Sequence, residues 1–198
     1  MAGFRGEIAR QLRESGRVIA ATAKRAAELE RAAEMLIAAL RRGNKILTFG
    51  NGGSSCDAQN FADELVGRYR RNRPPLPALC LACSQADLTS IANDFGYENV
   101  FSRQLEAHAK PGDVAVAIST SGNSKNVLAA ARAARRLGLP VIGLTGAGGG
   151  KLKGLCDVAI AIASPSTARV QEAHIAVIQI WCGLIEDALF ARAPKAHE

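Results

Sequence analysis

The sequence predicts an α/β fold: a three-layer sandwich in which helices cover both faces of a parallel sheet of about five strands, preceded by a helical arm. Two observations support this prediction. Short, nearly continuous apolar segments alternate with helical segments through most of the chain, which is typical of a parallel sheet buried on both sides. Two of these apolar segments end in turns rich in Gly, Ser and Asn, at the edge where parallel sheets bind ligands.

The helical arm is predicted over residues 1–43. Ile8, Leu12 and other apolar residues recur at roughly helical spacing up to residue 42, which indicates one long helix or a pair of helices. Gly16 is the place where this segment could break. The apolar stripe of the arm has to pack against another surface, and a second subunit is a reasonable candidate.

Residues 44–198 are predicted to form one compact domain together with the arm, for which the length of 198 residues is sufficient. The predicted strands lie at residues 45–49, 78–82, 113–118, 140–145 and 157–162, and the predicted helices at about residues 56–69, 98–109, 127–137 and 167–190. One or two helical turns are expected at residues 86–92, followed by a turn over Asn93–Tyr97. Gly146–Gly150 is expected to form a flexible turn.

The segment Ser119–Ser124 is the strongest candidate for a binding site. It joins the strand that ends at Ile118 to an Ala-rich helix, and it contains three serines, a threonine, an asparagine and a glycine. Free backbone N–H groups at the start of the helix, the helix dipole and the hydroxyl groups would together hold an anion, most naturally a phosphate ester. The alternative is an ordinary serine-rich cap of a helix.

A second glycine-rich turn, Gly50–Ser55, follows the first predicted strand. Its glycines allow the backbone to approach a ligand closely. Their spacing differs from that of the dinucleotide-binding fingerprint, and no acidic residue ends a clear second strand. One such turn is a weak signal, but two strand–turn–helix sites in one domain favour a phosphorylated ligand.

Several polar side chains are candidates for chemistry next to this ligand. Asn60 and Glu64 are four residues apart and share a helix face, and Gln171 and Gln179 share a face of the last helix. If these faces point into one cleft, Glu64 is the candidate general base. A base of this kind needs a partly desolvated position, which raises the pKa of its carboxyl group. The alternative is that Glu64 is an ordinary solvated carboxylate on the helix surface. For His174 a packed or interface position is favoured over a ligand role.

Composition narrows the function classes. No apolar stretch is interpreted as long enough to span a bilayer and no signal peptide opens the chain, so we expect a cytoplasmic protein without a membrane partner. The net charge of +7 suits a protein that binds nucleic acid or anionic metabolites. No recognisable nucleic-acid-binding fold surrounds the basic cluster Arg68–Arg73, so we interpret this cluster as solvated surface or as a rim that attracts phosphate. The five cysteines are interpreted as free thiols, although Cys80 and Cys83 have redox-motif spacing.

A set of motifs in matching order resembles one known family. The motifs are Gly50-Asn-Gly-Gly-Ser54 with Cys56-Asp-Ala-Gln, Gly67-Arg-Tyr-Arg, Asn72-Arg-Pro74, Ile91-Ala-Asn-Asp-Phe-Gly-Tyr97, Phe101-Ser-Arg-Gln104, Ala117-Ile-Ser-Thr-Ser-Gly-Asn-Ser124 and Ala168-Arg-Val-Gln-Glu172. Together they resemble the phosphoheptose isomerase (D-sedoheptulose 7-phosphate isomerase) family of the sugar isomerase (SIS) domain superfamily. The resemblance covers nearly the whole chain, and it implies the SIS fold.

The resemblance also implies an activity and an assembly. Members convert sedoheptulose 7-phosphate to D-glycero-D-manno-heptose 7-phosphate, a step towards the heptose of bacterial lipopolysaccharide, as cytoplasmic homotetramers with active sites at subunit interfaces. Carried over by position, the phosphate would be held by Ser119, Ser121 and Ser124, with Ser54 and Thr120 nearby. The sugar would contact Asn51, Gly52, Gly53, Asn93, Asp94 and Gln171. Glu64 would move the proton between C1 and C2 through an enediol.

Two departures from the family pattern concern zinc. Where the family has histidines, this chain has Asn60 and Gln179. In the family those two histidines form a zinc site with the residues that match Glu64 and Gln171, and the second histidine is the acid–base partner. Amides are poor zinc ligands and do not titrate near neutral pH. Zinc is therefore doubtful here, and Gln179 cannot take over the role of the histidine.

Three functional hypotheses remain open at this stage. The first is a metal-independent or impaired ketose–aldose phosphate isomerase. The second is a non-catalytic SIS-fold regulator that binds a phosphosugar or a protein partner of the replication-initiator type, and the third is an isomerase for a different phosphosugar, because the Ser119–Ser124 segment would contact only the phosphate end. Turnover and metal analysis would distinguish them.

Overall fold

The computed structural model describes residues 3–190, so the ends of the predicted arm and of the predicted domain 44–198 lie outside the described residues. The arm consists of α1 (Phe4–Ala21) and α2 (Ala26–Arg41), joined by a 3-10 turn at Thr22–Arg25. The chain does not break at Gly16, which lies inside α1 facing open space, where a helical glycine is tolerated. A pair of helices is therefore confirmed, with the break six residues later.

Between residues 3 and 190, five strands form one sheet: β1 (Ile46–Gly50), β2 (Ala78–Cys80), β3 (Val114–Ser119), β4 (Val141–Thr145) and β5 (Val158–Ala161). Their order is β2-β1-β3-β4-β5 and every neighbouring pair is parallel, which confirms the predicted sheet. All carboxyl ends consequently lie at one edge. Every residue of β1, β3 and β4 is buried, which explains why these strands are continuous apolar runs.

Helices cover both faces of the sheet: α3 (Gly53–Val66), α4 (Gln85–Phe95), α5 (Val100–His108), α6 (Lys125–Arg136) and α7 (Thr167–Phe190). Alternate residues of β3 point to opposite faces. Val116 and Ile118 pack with α2, α3 and α7, whereas Ala115 and Ala117 pack with α5 and α6. The three-layer architecture is confirmed, and α2 belongs to the same core as α3 and α7.

Helix α7 corrects one expectation about membranes. It has 24 residues and contains an 18-residue stretch with a mean hydropathy of 1.4, so it is long and apolar enough to cross a bilayer by length and composition. It packs instead against α1, α2 and α3, and Trp181 at its middle is fully buried and donates a hydrogen bond to Leu29 O at 3.0 Å. The apolar character of α7 is therefore that of the central helix of a soluble domain.

Candidate active site

The segment Ser119–Ser124 gathers its hydroxyl groups at the carboxyl edge of the sheet. Ser119 is the last residue of β3, and Ser124 directly precedes the first residue of α6. The Ser119 Oγ atom lies 3.1 Å from Ser124 Oγ and 3.5 Å from Ser121 Oγ. Three hydroxyls thus face one point beside the first N–H groups of α6, an arrangement that suits an anion. Their role as phosphate ligands stays a prediction.

The glycine-rich segment Gly146–Gly150 supports this hydroxyl cluster. Gly146 N donates to Thr120 O at 2.9 Å, and a Cβ atom on Gly122 would collide with Gly149 O. Gly122 also has φ +63°, so only glycine fits there without strain. The segment forms a turn, as predicted, and Ser119–Ser124 packs against it because both loops follow neighbouring strands.

The turn after β1 lies next to the hydroxyl cluster. Gly50 of β1 is opposite Ile118 of β3, so Asn51 and Ser119 follow neighbouring positions of the sheet. Asn51 and Asn126 of α6 exchange two amide hydrogen bonds, each 2.8 Å, and Tyr97 Oη donates to Asn51 Oδ1 at 3.0 Å. Asn51 therefore joins the two turns, in addition to its predicted sugar contact.

Sequence reasoning did not identify Asn126. Its side chain is almost completely buried at the second residue of α6, and it also accepts a hydrogen bond from Val127 N at 2.9 Å. A buried amide is retained only when its donors and acceptors are paired. The available signal was an Asn one residue after Lys125 in an otherwise Ala-rich helix.

The other predicted sugar contacts divide into two groups. Gly52 and Gly53 are exposed at the start of α3, Ser54 is buried beneath them, and the Gln171 amide packs so closely on Gly53 that a Cβ atom there would overlap it. These residues form one surface with the turn after β1.

Asn93 and Asp94 form the second group. Both are exposed in the last turn of α4, and Asn93 Nδ2 donates to Asp94 Oδ1 at 2.7 Å. The predicted turn over Asn93–Tyr97 is wrong at its beginning, because α4 continues to Phe95 and ends at Gly96, which has φ +84°. The two side chains bond to each other and leave one Asn93 amide hydrogen, the Asn93 carbonyl oxygen and the second Asp94 carboxylate oxygen for a ligand.

A second cluster contains the candidate base. Asn60 and Glu64 of α3 face Gln179 of α7, whose Nε2 donates to Asn60 Oδ1 at 2.9 Å and to Glu64 Oε1 at 3.4 Å. All three side chains are half-buried. The shared helix face predicted for Asn60 and Glu64 is therefore real. Gln171, the fourth predicted zinc ligand, is eight residues before Gln179, about 12 Å away along α7.

Within one chain the two clusters are not in one cleft. Glu64 is eleven residues beyond Gly53, about 16 Å along α3. Its neighbour Leu65 accepts a hydrogen bond at 3.0 Å from Leu76 N, in the segment that leads into the start of β2. Glu64 thus lies towards the amino edge of the sheet, since α3 runs back along the strand that it follows. Within one chain the serines and Glu64 are therefore apart, and their meeting in one cleft between subunits stays a prediction.

A buried ion pair fixes the end of α3 that carries Glu64. Arg73 and Glu186 lie 3.0 Å apart, both almost completely buried, and Arg73 Nη2 donates to Glu64 O at 2.7 Å. Burial alone would raise the pKa of Glu186, but N–H donors outweigh it and hold that pKa below its ordinary value. The donors are the backbone N–H groups of Arg71, Arg70 and Tyr69 and the Arg73 guanidinium. The interpretation of Arg68–Arg73 as solvated surface is therefore wrong for Arg73.

The two buried cysteines, Cys80 and Cys182, and the half-buried Cys156 are not reactive thiolates. Burial raises the pKa of Cys80, Cys156 and Cys182 to about 12 in each case. Cys80 ends β2 and Cys83 is exposed in the following turn, with neither in a disulfide. The two cysteines thus have the spacing of a redox motif because one ends β2 and the other lies in the turn that follows it.

His174 is a packed histidine, as favoured from the sequence. It is fully buried, and its Nε2 lies 3.1 Å from Thr145 O, which can only accept, so Nε2 carries the hydrogen. Burial lowers the pKa of His174 from 6.5 to about 4.

The buried His174 predicts a pH dependence of stability. Between about pH 6.5 and pH 4 the unfolded chain binds a proton at His174 that the folded chain excludes, so the free energy of unfolding decreases as the pH falls through this window. The contribution is complete above pH 6.5, and its loss by pH 4 is about 3 kcal/mol. We expect His174→Gln to flatten this part of the profile in urea unfolding; parallel profiles for the two proteins would contradict the assignment.

Comparisons with known proteins agree with this fold. The sequence profile of the SIS domain matches residues 11–146. The phosphoheptose isomerase of Rhodospirillum rubrum is 54% identical over 158 residues, which are 80% of this chain and 84% of that protein. The structure of the Neisseria gonorrhoeae phosphoheptose isomerase is 40% identical with a TM-score of 0.88, covering 93% of this chain and 99% of that chain. The structure of the Francisella tularensis phosphoheptose isomerase is 31% identical with a TM-score of 0.90, covering 94% of this chain and 100% of that chain. The chain therefore belongs to the phosphoheptose isomerase family of SIS-domain proteins.

Proposed function

We propose that the protein is a phosphoheptose isomerase that interconverts sedoheptulose 7-phosphate and D-glycero-D-manno-heptose 7-phosphate. The observation that carries this proposal is the cluster of Ser119, Ser121 and Ser124 hydroxyls at the start of α6, in a chain 54% identical to a phosphoheptose isomerase. A dianionic phosphate placed there would accept hydrogen bonds from hydroxyl and backbone N–H groups and gain from the helix dipole. The heptose product would serve bacterial lipopolysaccharide.

Glu64 is the proposed base. Its carboxylate would take the proton from C1 of the ketose, the C–H electrons would form the C1=C2 double bond, and O2 would gain a proton to give the enediol. O1 would then lose its proton as C1=O forms, and C2 would take the proton held by Glu64. Gln179 can donate a hydrogen bond but no proton near neutral pH, so the proton that passes from O1 to O2 moves directly or through water.

The active site is proposed to be shared between subunits of a homotetramer. The hydroxyl cluster and Glu64 lie towards opposite edges of the sheet, so one chain would bind the phosphate and another would supply the base. Helix α1 has no buried residue and exposes Phe4, Ile8 and Leu12, an apolar stripe that a second copy would cover. An adjoining apolar groove of about 680 Å³ between α2 and α7, lined by Leu29, Ile37, Ile180 and Leu184 among others, suits the same partner. Such an enzyme is expected in the cytoplasm.

The test is turnover by the purified protein. We expect conversion of sedoheptulose 7-phosphate and none of unphosphorylated sedoheptulose, because the phosphate supplies the anchor. Ser121→Ala removes one exposed donor and should raise KM about tenfold, with kcat nearly unchanged. Profiling with shorter ketose phosphates separates a heptose enzyme from one that acts on another phosphosugar.

One observation favours a second candidate, a non-catalytic phosphosugar-binding protein. The side chain facing Glu64 is the Gln179 amide, which does not titrate, so substrate could bind without a proton partner. Calorimetry that detects sedoheptulose 7-phosphate binding, with no product after long incubation, would support this candidate and overturn the isomerase.

A further inference from the structure

The residues Asn60, Glu64, Gln171 and Gln179 do not fit a zinc ion. Zinc sites in proteins use imidazole, thiolate and carboxylate ligands, and this set offers one carboxylate and three amides. Among residues 3–190, no group of three or more His, Cys, Asp and Glu side chains is placed to hold a metal ion. The donor chemistry of this cluster therefore argues against the metal that the family uses.

The orientation of Gln179 gives a second, geometric argument. Its amide nitrogen, rather than its carbonyl oxygen, faces the other two side chains, at 2.9 Å from Asn60 Oδ1 and 3.4 Å from Glu64 Oε1. Both hydrogens of that nitrogen are thereby directed at the oxygens that would otherwise coordinate a cation. An amide nitrogen has no free lone pair for a metal. The centre of the cluster is occupied by a hydrogen-bond donor.

We propose that this chain is a zinc-independent member of its family, in which the Gln179 amide replaces the metal ion as the link between α3 and α7 at Glu64. The two amide hydrogen bonds hold Asn60 and Glu64 Oε1 and leave Glu64 Oε2 free for the substrate. Gln179 is then a positioning residue for the base. The proposal deepens the proposed function of the same site, but its main test needs no turnover.

The main test is the zinc content of the protein as purified and after dialysis against micromolar zinc without chelator. We expect far less than one zinc per chain in both samples, and a melting temperature that neither zinc nor EDTA changes, because a ligand that does not bind the native state cannot stabilise it. One zinc per chain that resists dialysis, or a melting temperature lowered by EDTA, overturns the proposal.

A gain of zinc binding provides the matched control. The double variant Asn60→His/Gln179→His offers two imidazoles and the Glu64 carboxylate, the ligand set of many zinc sites, and it should take up about one zinc per chain with a rise in melting temperature. Adding Glu64→Gln to this variant should weaken zinc binding. A folded double variant that takes up no zinc overturns the proposal, since these three positions would then not share a site.

Turnover separates positioning from a merely structural role. Gln179→Leu should lower kcat about tenfold and leave KM within about twofold, because it removes the hydrogen bond to Glu64 without touching the phosphate anchor. Equal kcat values for Gln179→Leu and wild type overturn the positioning role. A wild-type protein that is inactive and zinc-free contradicts the proposed isomerase but leaves zinc independence standing. An active wild-type protein with one zinc per chain supports the isomerase and overturns zinc independence.

Discussion

Replacing Glu64 with glutamine is expected to lower kcat about 10²- to 10⁴-fold, the range that a positioned general base contributes. The substitution keeps the size of the side chain, and the glutamine can still accept a hydrogen bond from Gln179 Nε2. It removes only the ability to take a proton from C1. Because the phosphate would be held by another part of the protein, the Kd for sedoheptulose 7-phosphate measured by calorimetry should stay within severalfold of the wild-type value.

Asp63→Asn is the matched control for this experiment. Asp63 is the preceding residue of α3, its carboxylate is exposed, and the change removes the same charge from the same helix. Wild-type kcat is expected for Asp63→Asn. Equal rates for Glu64→Gln and wild type, or equal losses in both variants, would show that Glu64 is not the base.

The parts of the site that sequence analysis located are local in sequence. Ser119, Ser121 and Ser124 meet because a strand must end and a helix must begin within six residues, and small hydroxyl side chains there have little choice of position. The five strands were recognisable for a similar reason, since each is an apolar run with polar or glycine residues at its ends. Local pattern and tertiary structure agree at these positions.

The parts that sequence analysis missed depend on contacts between distant segments. The Asn51–Asn126 amide pair needs the register of β1 against β3, and the Arg73–Glu186 ion pair needs α7 to pass beside the segment after α3. Periodicity predicts which residues share a face of one helix, as for Asn60 and Glu64, but it does not say where along the sheet that face ends. This is why the sequence pattern did not show that the serines and Glu64 of one chain lie apart.

The separation of these two clusters leads to a prediction about mixed oligomers. Glu64→Gln chains lack the base, and Ser121→Asp chains carry a carboxylate where the phosphate would bind; each pure variant should be nearly inactive. Ser121 is exposed, so the aspartate does not have to be buried. If each site combines the serines of one subunit with Glu64 of another, random one-to-one mixing leaves about one quarter of the sites with both intact parts.

Mixed oligomers prepared by co-expression with two affinity tags should therefore regain about a quarter of the wild-type activity. Mixing Glu64→Gln chains with Ser121→Asp/Glu64→Gln chains is the control and should restore nothing, since no subunit then carries an intact base. No recovery in the first mixture, or an active monomer by light scattering, would place the complete site in one chain. That outcome requires a substrate to span the roughly 16 Å of α3 between Gly53 and Glu64, or α3 to move. The Arg73–Glu186 pair anchors the end of this helix and opposes such a movement. Recovery would mean that the protein binds the phosphate and moves the proton with two copies of one chain.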